Sequence, residues 1–316
     1  MIVLAKTGRE DVATVYLAET ADGGWIEFVE SVQPPIPRRR KWVLILSTLH
    51  GCPGGCRFCD AGSFYRGRLT RDEILAQVDY MVGRRFGDRK VPVEKFKVQF
   101  ARMGEPAFNG AVIEVLEELP RRLDAPGLMP AVSTVAPRGT EDFFERLLEI
   151  KREHYNGRFQ LQFSIHTTDV DLGNWLMPLE RWDSERIAQY GERWFEEGDR
   201  KVTLNFALAE GMPVSPEVLR RHFSPDIFIL KMTPINPTFR ARENGIASHI
   251  VPGRERYDVI EALRAQGYEV ILSIGELEEN HIGSNCGQYV TSHIARGECL
   301  EGGYTYEARE VIAEVR

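Results

Sequence analysis

No apolar run in this 316-residue chain approaches the roughly 18 to 20 residues that a membrane-spanning helix needs. The longest conspicuous one, "WVLILSTL" at 42–49, has strand length. Positive charge is not in excess either: 40 Lys and Arg stand against 47 Asp and Glu, for a net charge of −7. This argues against a broadly basic surface that grips nucleic acid by counterion release, although a local basic groove stays open. The N-terminus "MIVLAKTGRE" is apolar for only its first few residues and makes a poor signal peptide. Cysteine is scarce, five residues in all, and an odd number does not build a disulfide framework. Low-complexity segments are absent, and nothing repeats beyond an alternation of strand and helix patterns. A cytoplasmic protein without a membrane partner is expected.

What cysteine there is lies concentrated. Cys52, Cys56 and Cys59 fall within ten residues, "GCPGGCRFCD". Three thiolates on a loop that also carries Gly51, Pro53, Gly54 and Gly55 can wrap a small soft-metal cluster, with backbone N–H groups close to the sulfurs. A structural zinc site is an alternative, but it wants four ligands, and His50 is the nearest candidate for the fourth. Three plain buried cysteines are a further alternative.

Residues 12–33 read as a hairpin: "VATVYLAET" and "WIEFVESV" are rich in β-formers and flank the turn "ADGG". "PPIPRRRK" at 34–41 reads as a linker. Strands are then expected at 42–48, 95–101, 130–135, 159–166, 201–208, 226–232 and 268–274. Helical patterns lie between them. The clearest follows Thr70, which forms a capping box with Glu73 ahead of Ile74, Val78, Met81 and Val82. Asn109 is a candidate cap for the next, striped by Val112, Ile113, Leu116 and Leu119. Others are expected near 140–152, 184–197, 215–222 and 254–266. Such alternation implies an α/β protein with a parallel sheet. A partial (β/α)6 TIM-like barrel is expected over 42–290, with a small hairpin extension at 1–41 and a tail at 291–316. A doubly wound sheet is the alternative. In a barrel the loop after the first strand lies at the reactive end.

The C-x3-C-x2-C spacing, with Phe58 before the last cysteine, resembles the hallmark of the radical S-adenosylmethionine (SAM) superfamily. The resemblance implies a 4Fe–4S cluster held by Cys52, Cys56 and Cys59, with one iron left for SAM. The flanking segment "CRFCDAGSFYRGRLTRDEILAQV" (56–78) resembles the RlmN/Cfr family, radical SAM methyltransferases that act on adenine carbons in RNA. Further similarities follow in order from about residue 26 to 290. "RMGEPAFN" (102–109) is similar to the family's Met-Gly-Glu-Pro motif, which implies SAM contacts from Gly104 and Glu105. "VSTV", "FSIHTT" and "TPINPT" resemble three more family motifs and imply contacts from Ser133, from Ser164, Ile165 and His166, and from Asn236. Each of these motifs is weak alone, since a strand-end Ser or Asn is commonly a turn cap and a single His commonly structural.

"GSNCGQYV" (283–290) is similar to the family's Ala-Cys-Gly-Gln-Leu segment. There the cysteine takes a methyl from one SAM, and a radical made from a second activates it for transfer. By position that cysteine is Cys286. The physical need is clear: an sp2 ring carbon is too poor a nucleophile to attack SAM, whereas a thiolate is a good one. "WIEFVES" (25–31) resembles the strand whose glutamate has been proposed as a base, which matches Glu27 best and Glu30 next.

Two departures stand out. The family has a further cysteine seven residues before the first cluster cysteine, which breaks the enzyme–substrate bond; Ile45 stands there. Cys299 is the remaining thiol that a tail could bring to Cys286. The family's N-terminal RNA-binding domain also has no counterpart ahead of the hairpin. The basic stretches at 37–41, 83–90 and 120–122 read as solvated loops and helix ends. The expected activity is therefore a radical SAM C-methyltransferase passing a one-carbon unit to an unactivated sp2 carbon. A small-molecule acceptor is favoured, and RNA, or other radical chemistry on the same scaffold, is the alternative. An electron donor such as flavodoxin or ferredoxin is the implied partner.

Overall fold

The computed structural model describes residues 1–251, 253, 254, 256–285, 303 and 305–311. Three antiparallel strands come first: β1 (Ile2–Arg9), β2 (Ala13–Glu19) and β3 (Trp25–Ser31). β4 (Lys41–Leu46) pairs antiparallel with β3, so the hairpin expected at 12–33 continues directly into the main sheet. β5 (Leu49–Gly51) and β6 (Tyr65–Arg68) form a separate small ladder around the cysteine loop.

From β4 the alternation sets in. It runs through α1 (Arg71–Phe86), β7 (Lys95–Phe100), α2 (Ala111–Arg122), β8 (Leu128–Thr134), α3 (Glu141–Ile150) and β9 (Gln160–Ser164). It continues through α4 (Val170–Leu176), α5 (Ser184–Trp194), β10 (Val202–Leu208), α6 (Pro216–His222) and β11 (Phe228–Pro234). α7 (Phe239–Glu243), α8 (Asp258–Ala265), β12 (Val270–Leu272) and α9 (Leu277–Ile282) follow, and β13 (Arg309–Glu310) adds to β1. The sheet order is β12-β11-β10-β9-β8-β7-β4-β3-β2-β1-β13, and β4 through β12 are all parallel. This is the α/β open-barrel class, with six crossovers from β4 to a short seventh strand, β12.

The cause is local. Thr70 Oγ1 accepts from the Glu73 N–H at 3.2 Å and Glu73 Oε2 accepts from the Thr70 N–H at 2.8 Å, closing the expected capping box. The apolar stripe of α1, Ile74, Val78, Met81 and Val82, is buried. α2 starts one residue later than an Asn109 cap implies. Gly110 holds the cap position, while Asn109 Oδ1 accepts from the Ala111 N–H at 3.1 Å. The Asn109 amide is spent elsewhere, on the carbonyls of Thr48 (2.7 Å) and Leu69 (2.8 Å). α4, α7 and α9 were not foreseen, because five to seven residues are too few to show a helical period.

The strands divide their two faces by chemistry. On β4, Trp42, Leu44 and Leu46 are fully buried under the helices. On β7, Phe96, Val98 and Phe100 do the same. The alternate residues, Lys41, Val43, Ile45, Lys95, Lys97 and Gln99, are half-buried on the inner face. The hydrophobic core is thus the layer between sheet and helices, and the barrel interior is partly polar. No helix among the described residues is long and apolar enough to cross a membrane.

Candidate active site

Covalent geometry shapes the cysteine loop first. Gly51 has φ +78°, and a Cβ there would lie 1.9 Å from the Phe64 carbonyl oxygen, so only glycine fits. The Cys52 N–H donates to that carbonyl at 2.9 Å and closes the loop at its base. Gly54 lies between two sulfurs: an added Cβ would sit 3.4 Å from Cys52 Sγ and 3.9 Å from Cys56 Sγ. The Gly54 N–H also donates to Cys52 Sγ at 3.4 Å. Cys52, Cys56 and Cys59 are all reduced and half-buried. Burial pushes the Cys52 thiol up to about 11 and the Cys56 thiol up to about 12, with Cys52 adding its own charge to the latter. Buried thiols of this kind become thiolates only beside a strong positive charge, which bound iron supplies. The three-sulfur cradle fits a cluster. His50 does not extend it: its ring lies against β3's approach turn, with Nε2 3.8 Å from Asp22 Oδ2.

The loop is tied down by α7 and the turn before it, which the sequence did not reveal. Arg240 donates from Nε to the Cys56 carbonyl (3.1 Å) and from Nη2 to the Gly55 carbonyl (3.1 Å). Asp60 accepts the N–H groups of Phe239 (3.3 Å) and Arg240 (3.0 Å). Thr238 Oγ1 donates to the Phe58 carbonyl at 2.8 Å, and Asn244 Nδ2 to the Arg57 carbonyl at 3.0 Å. These groups orient the sulfurs without touching them. Arg240→Ala is expected to shed iron to a chelator about tenfold faster than the parent protein, as loss of outer-shell support does elsewhere. Stopped-flow absorbance after chelator addition measures it, and an unchanged rate would remove the supporting role.

A cavity of about 630 Å³ opens over the three cysteines at the C-terminal ends of the parallel strands. Gly104, Glu105, Ser133, Ser164, His166 and Asn236 also line it, so five separate strand ends converge there. Ile165 is absent from this lining; it packs half-buried against the core, and its N–H donates to the Asn205 carbonyl at 2.9 Å. Gly104, at φ +100°, passes so close to Leu49 that a Cβ would meet its side chain at 2.5 Å. Glu105 accepts from Thr134 Oγ1 (2.5 Å), the Ala107 N–H (3.0 Å) and the Val135 N–H (2.9 Å). Burial still pushes its carboxyl up to about 7, against those donors. A cationic ligand group beside it offsets that burial, as the ammonium of SAM would. Ser133 Oγ accepts from Gln162 Nε2 at 3.2 Å.

His166 is held as a fixed neutral ring. Its backbone has φ +67°, its Nδ1 accepts the Ala207 N–H at 2.9 Å, and Phe58 meets it edge-on at 5.0 Å. Burial drives it down to about 3, so at neutral pH it carries its one proton on Nε2.

Glu27 and Arg102 form an ion pair at 2.9 Å, with side chains 0% and 1% exposed. Arg102 also donates to the carbonyls of Gly283 (2.7 Å) and Ser284 (3.0 Å). The pair therefore anchors the segment that leads into Cys286. Glu30, the alternative, is saturated by Tyr16, Trp42 and Arg85. Ile45 lines the cavity, as does Asn285. Cys286 and Cys299 lie outside the described residues.

No family model matches the chain. It is 33% identical over 226 residues to a probable RNA methyltransferase of Ectopseudomonas mendocina, covering 70% of this chain and 58% of that protein. It is 30% identical over 243 residues to a probable dual-specificity RNA methyltransferase RlmN of Gloeobacter violaceus, covering 74% and 64%. The chain thus spans less than two thirds of the length of these curated relatives. In fold it is similar to a radical SAM methyltransferase from Sphaerobacter thermophilus, with a TM-score of 0.61 at 23% identity, over 87% of this chain and 78% of that one.

Proposed function

Because the chain belongs to the RlmN/Cfr-like family of radical SAM proteins, we propose that it is a C-methyltransferase that passes a one-carbon unit through Cys286 to an unactivated sp2 carbon. The observation that carries the reading is the shared cavity. The cluster cysteines line one part of it, the strand-end residues expected to touch SAM line another, and Asn285 brings the chain there one residue before Cys286. A reduced 4Fe–4S cluster with bound SAM supplies a 5′-deoxyadenosyl radical.

The protein's own residues set up that chemistry. Cys52, Cys56 and Cys59 hold the cluster, and Glu105 holds the SAM ammonium. Ser133, Ser164 and Asn236 offer polar contacts, and neutral His166 is fixed among them. The Cys286 thiolate attacks the methyl of one SAM; a carbon–sulfur bond forms, and S-adenosylhomocysteine leaves with the sulfonium electron pair. Reduction comes from a flavodoxin- or ferredoxin-type donor.

The acceptor is read as a small, non-ribosomal molecule. Three cations of the basic stretches that RNA would use are paired with acids. Arg40 lies 3.3 Å from Glu94, Arg85 bridges Glu30 (2.7 Å) and Glu10 (3.0 Å), and Arg122 bonds both Asp79 and Glu118. The names of the relatives favour RNA as a second reading. Mass spectrometry of the anaerobically purified protein is expected to find a methyl-sized increment on Cys286 that Cys286→Ala abolishes. A reconstituted enzyme that makes 5′-deoxyadenosine and never carries this increment rules the reading out. Tight gel-shift binding with a steep salt slope would move the acceptor to RNA.

A further inference from the structure

Lys41 and Lys231 line the cavity, and further cations stand around them. Lys41 and Lys95 are the first residues of β4 and β7 and lie directly opposite each other in the parallel ladder. Lys97 is two residues along β7 on the same inner face, one turn of the pleat before Gln99, which lines the cavity. Lys231 enters from β11 on the far side and lines the cavity with Lys41. Arg200 precedes β10 and acts on Lys41, Lys95 and Lys97 through its charge. Burial, with the charges of Lys231, Lys41, Lys95 and Arg200 adding to it, pushes the Lys97 ammonium down to about 7. An anion bound among these groups would favour their charged forms.

The facing acids are few. Glu279 of α9 acts on Lys41 and Lys231, and burial pushes its own carboxyl upward, toward the neutral form. Glu276 lies exposed beside it at the rim. Asn205, opposite Lys231 in the β10–β11 ladder, lines the same cavity at 8% exposure, and its Oδ1 has no hydrogen-bond partner. A buried acceptor left open beside a group of lysines calls for a ligand that brings both negative charge and a hydroxyl hydrogen.

We propose that Lys41, Lys97, Lys231 and Asn205, on the inner face of the barrel, bind the phosphate of a small phosphomonoester acceptor. A phosphomonoester carries about −1.5 to −2 charges at neutral pH and can keep one P–OH. A carboxylate brings one charge and no hydroxyl hydrogen, and so matches the set less well. This assignment rests on the small-acceptor reading of the same site and gives it a chemical class.

Calorimetric titration of the full-length, cluster-loaded protein with inorganic phosphate, phenyl phosphate and acetate tests it. Phosphate and phenyl phosphate are expected to bind, with acetate at least about tenfold weaker. Lys97→Met and Lys231→Met should each weaken phosphate about tenfold or more, the loss of one charge-assisted hydrogen bond. Both variants keep an unbranched apolar stem and remove a crowded charge, and circular dichroism checks that they fold. Phosphate binding by both variants as tight as by the parent protein, no phosphate binding at all, or acetate binding as tightly as phosphate overturns the proposal. So does an oligoribonucleotide without terminal phosphate that binds through these lysines while phosphate does not. The Cys286 increment is read without any phosphate ligand, so the two readings fail separately.

Discussion

Cys56→Ala is expected to reduce 5′-deoxyadenosine formation from SAM to background, with loss of the cluster's visible absorbance and of bound iron. The three sulfurs are the soft ligands of the cavity, and Gly54 leaves the space between two of them that a bound group requires. Removing one leaves two thiolates for a cluster that needs three protein ligands. The fold itself should survive. The loop is held by the β5–β6 ladder, the Asp60 contacts and Arg240, none of which uses a sulfur side chain as partner. Far-UV circular dichroism should therefore match the parent protein. A variant that keeps both its absorbance and its SAM cleavage would show that the cluster is held elsewhere.

Arg102→Ala is expected to destabilise the protein by about 3–5 kcal/mol, since it removes the cation that the fully buried Glu27 carboxylate pairs with. Urea unfolding monitors this. Arg102→Ala combined with Glu27→Gln should recover much of the loss, because the orphaned charge is then gone. The functional effect has a separate signature. Arg102 ties the carbonyls of Gly283 and Ser284, so its loss should lower Cys286 methylation more than SAM cleavage. The same cycle tests Glu27 as a base. A base makes Glu27→Gln inactive with Cys286 still methylated, whereas an anchoring partner of Arg102 makes methylation and stability fall together. If Arg102→Ala unfolds at the same urea concentration as the parent, the buried pair does not hold the segment.

Much of the architecture was legible because it is written in short-range patterns. The capping box of Thr70 and Glu73, the apolar stripe of α1 and the strand runs were each visible within a few residues, and each formed. The short helix α7 was not, yet it clamps the cysteine loop from about 180 residues away. The hairpin was legible as two strands, but its pairing with β4 was not, since strand partners across a linker are not encoded in either strand's own alternation.

The sequence by itself determined that three cysteines share one loop at a strand's end, because ligand spacing is a property of the covalent chain. It also determined that the strands would be parallel, because helices long enough to cross the sheet lie between them. Only the tertiary structure decided which residues meet over that loop: Glu105 held by three donors, His166 fixed neutral, and Arg102 joining Glu27 to the approach to Cys286. It alone brought Lys41 of β4 and Lys231 of β11 to line one cavity. In sequence Lys41 belongs to a basic stretch at a linker's end and Lys231 is a single polar residue in an apolar strand. Their shared inner face comes from the pleat, which turns every second side chain of a strand to the same side of the sheet.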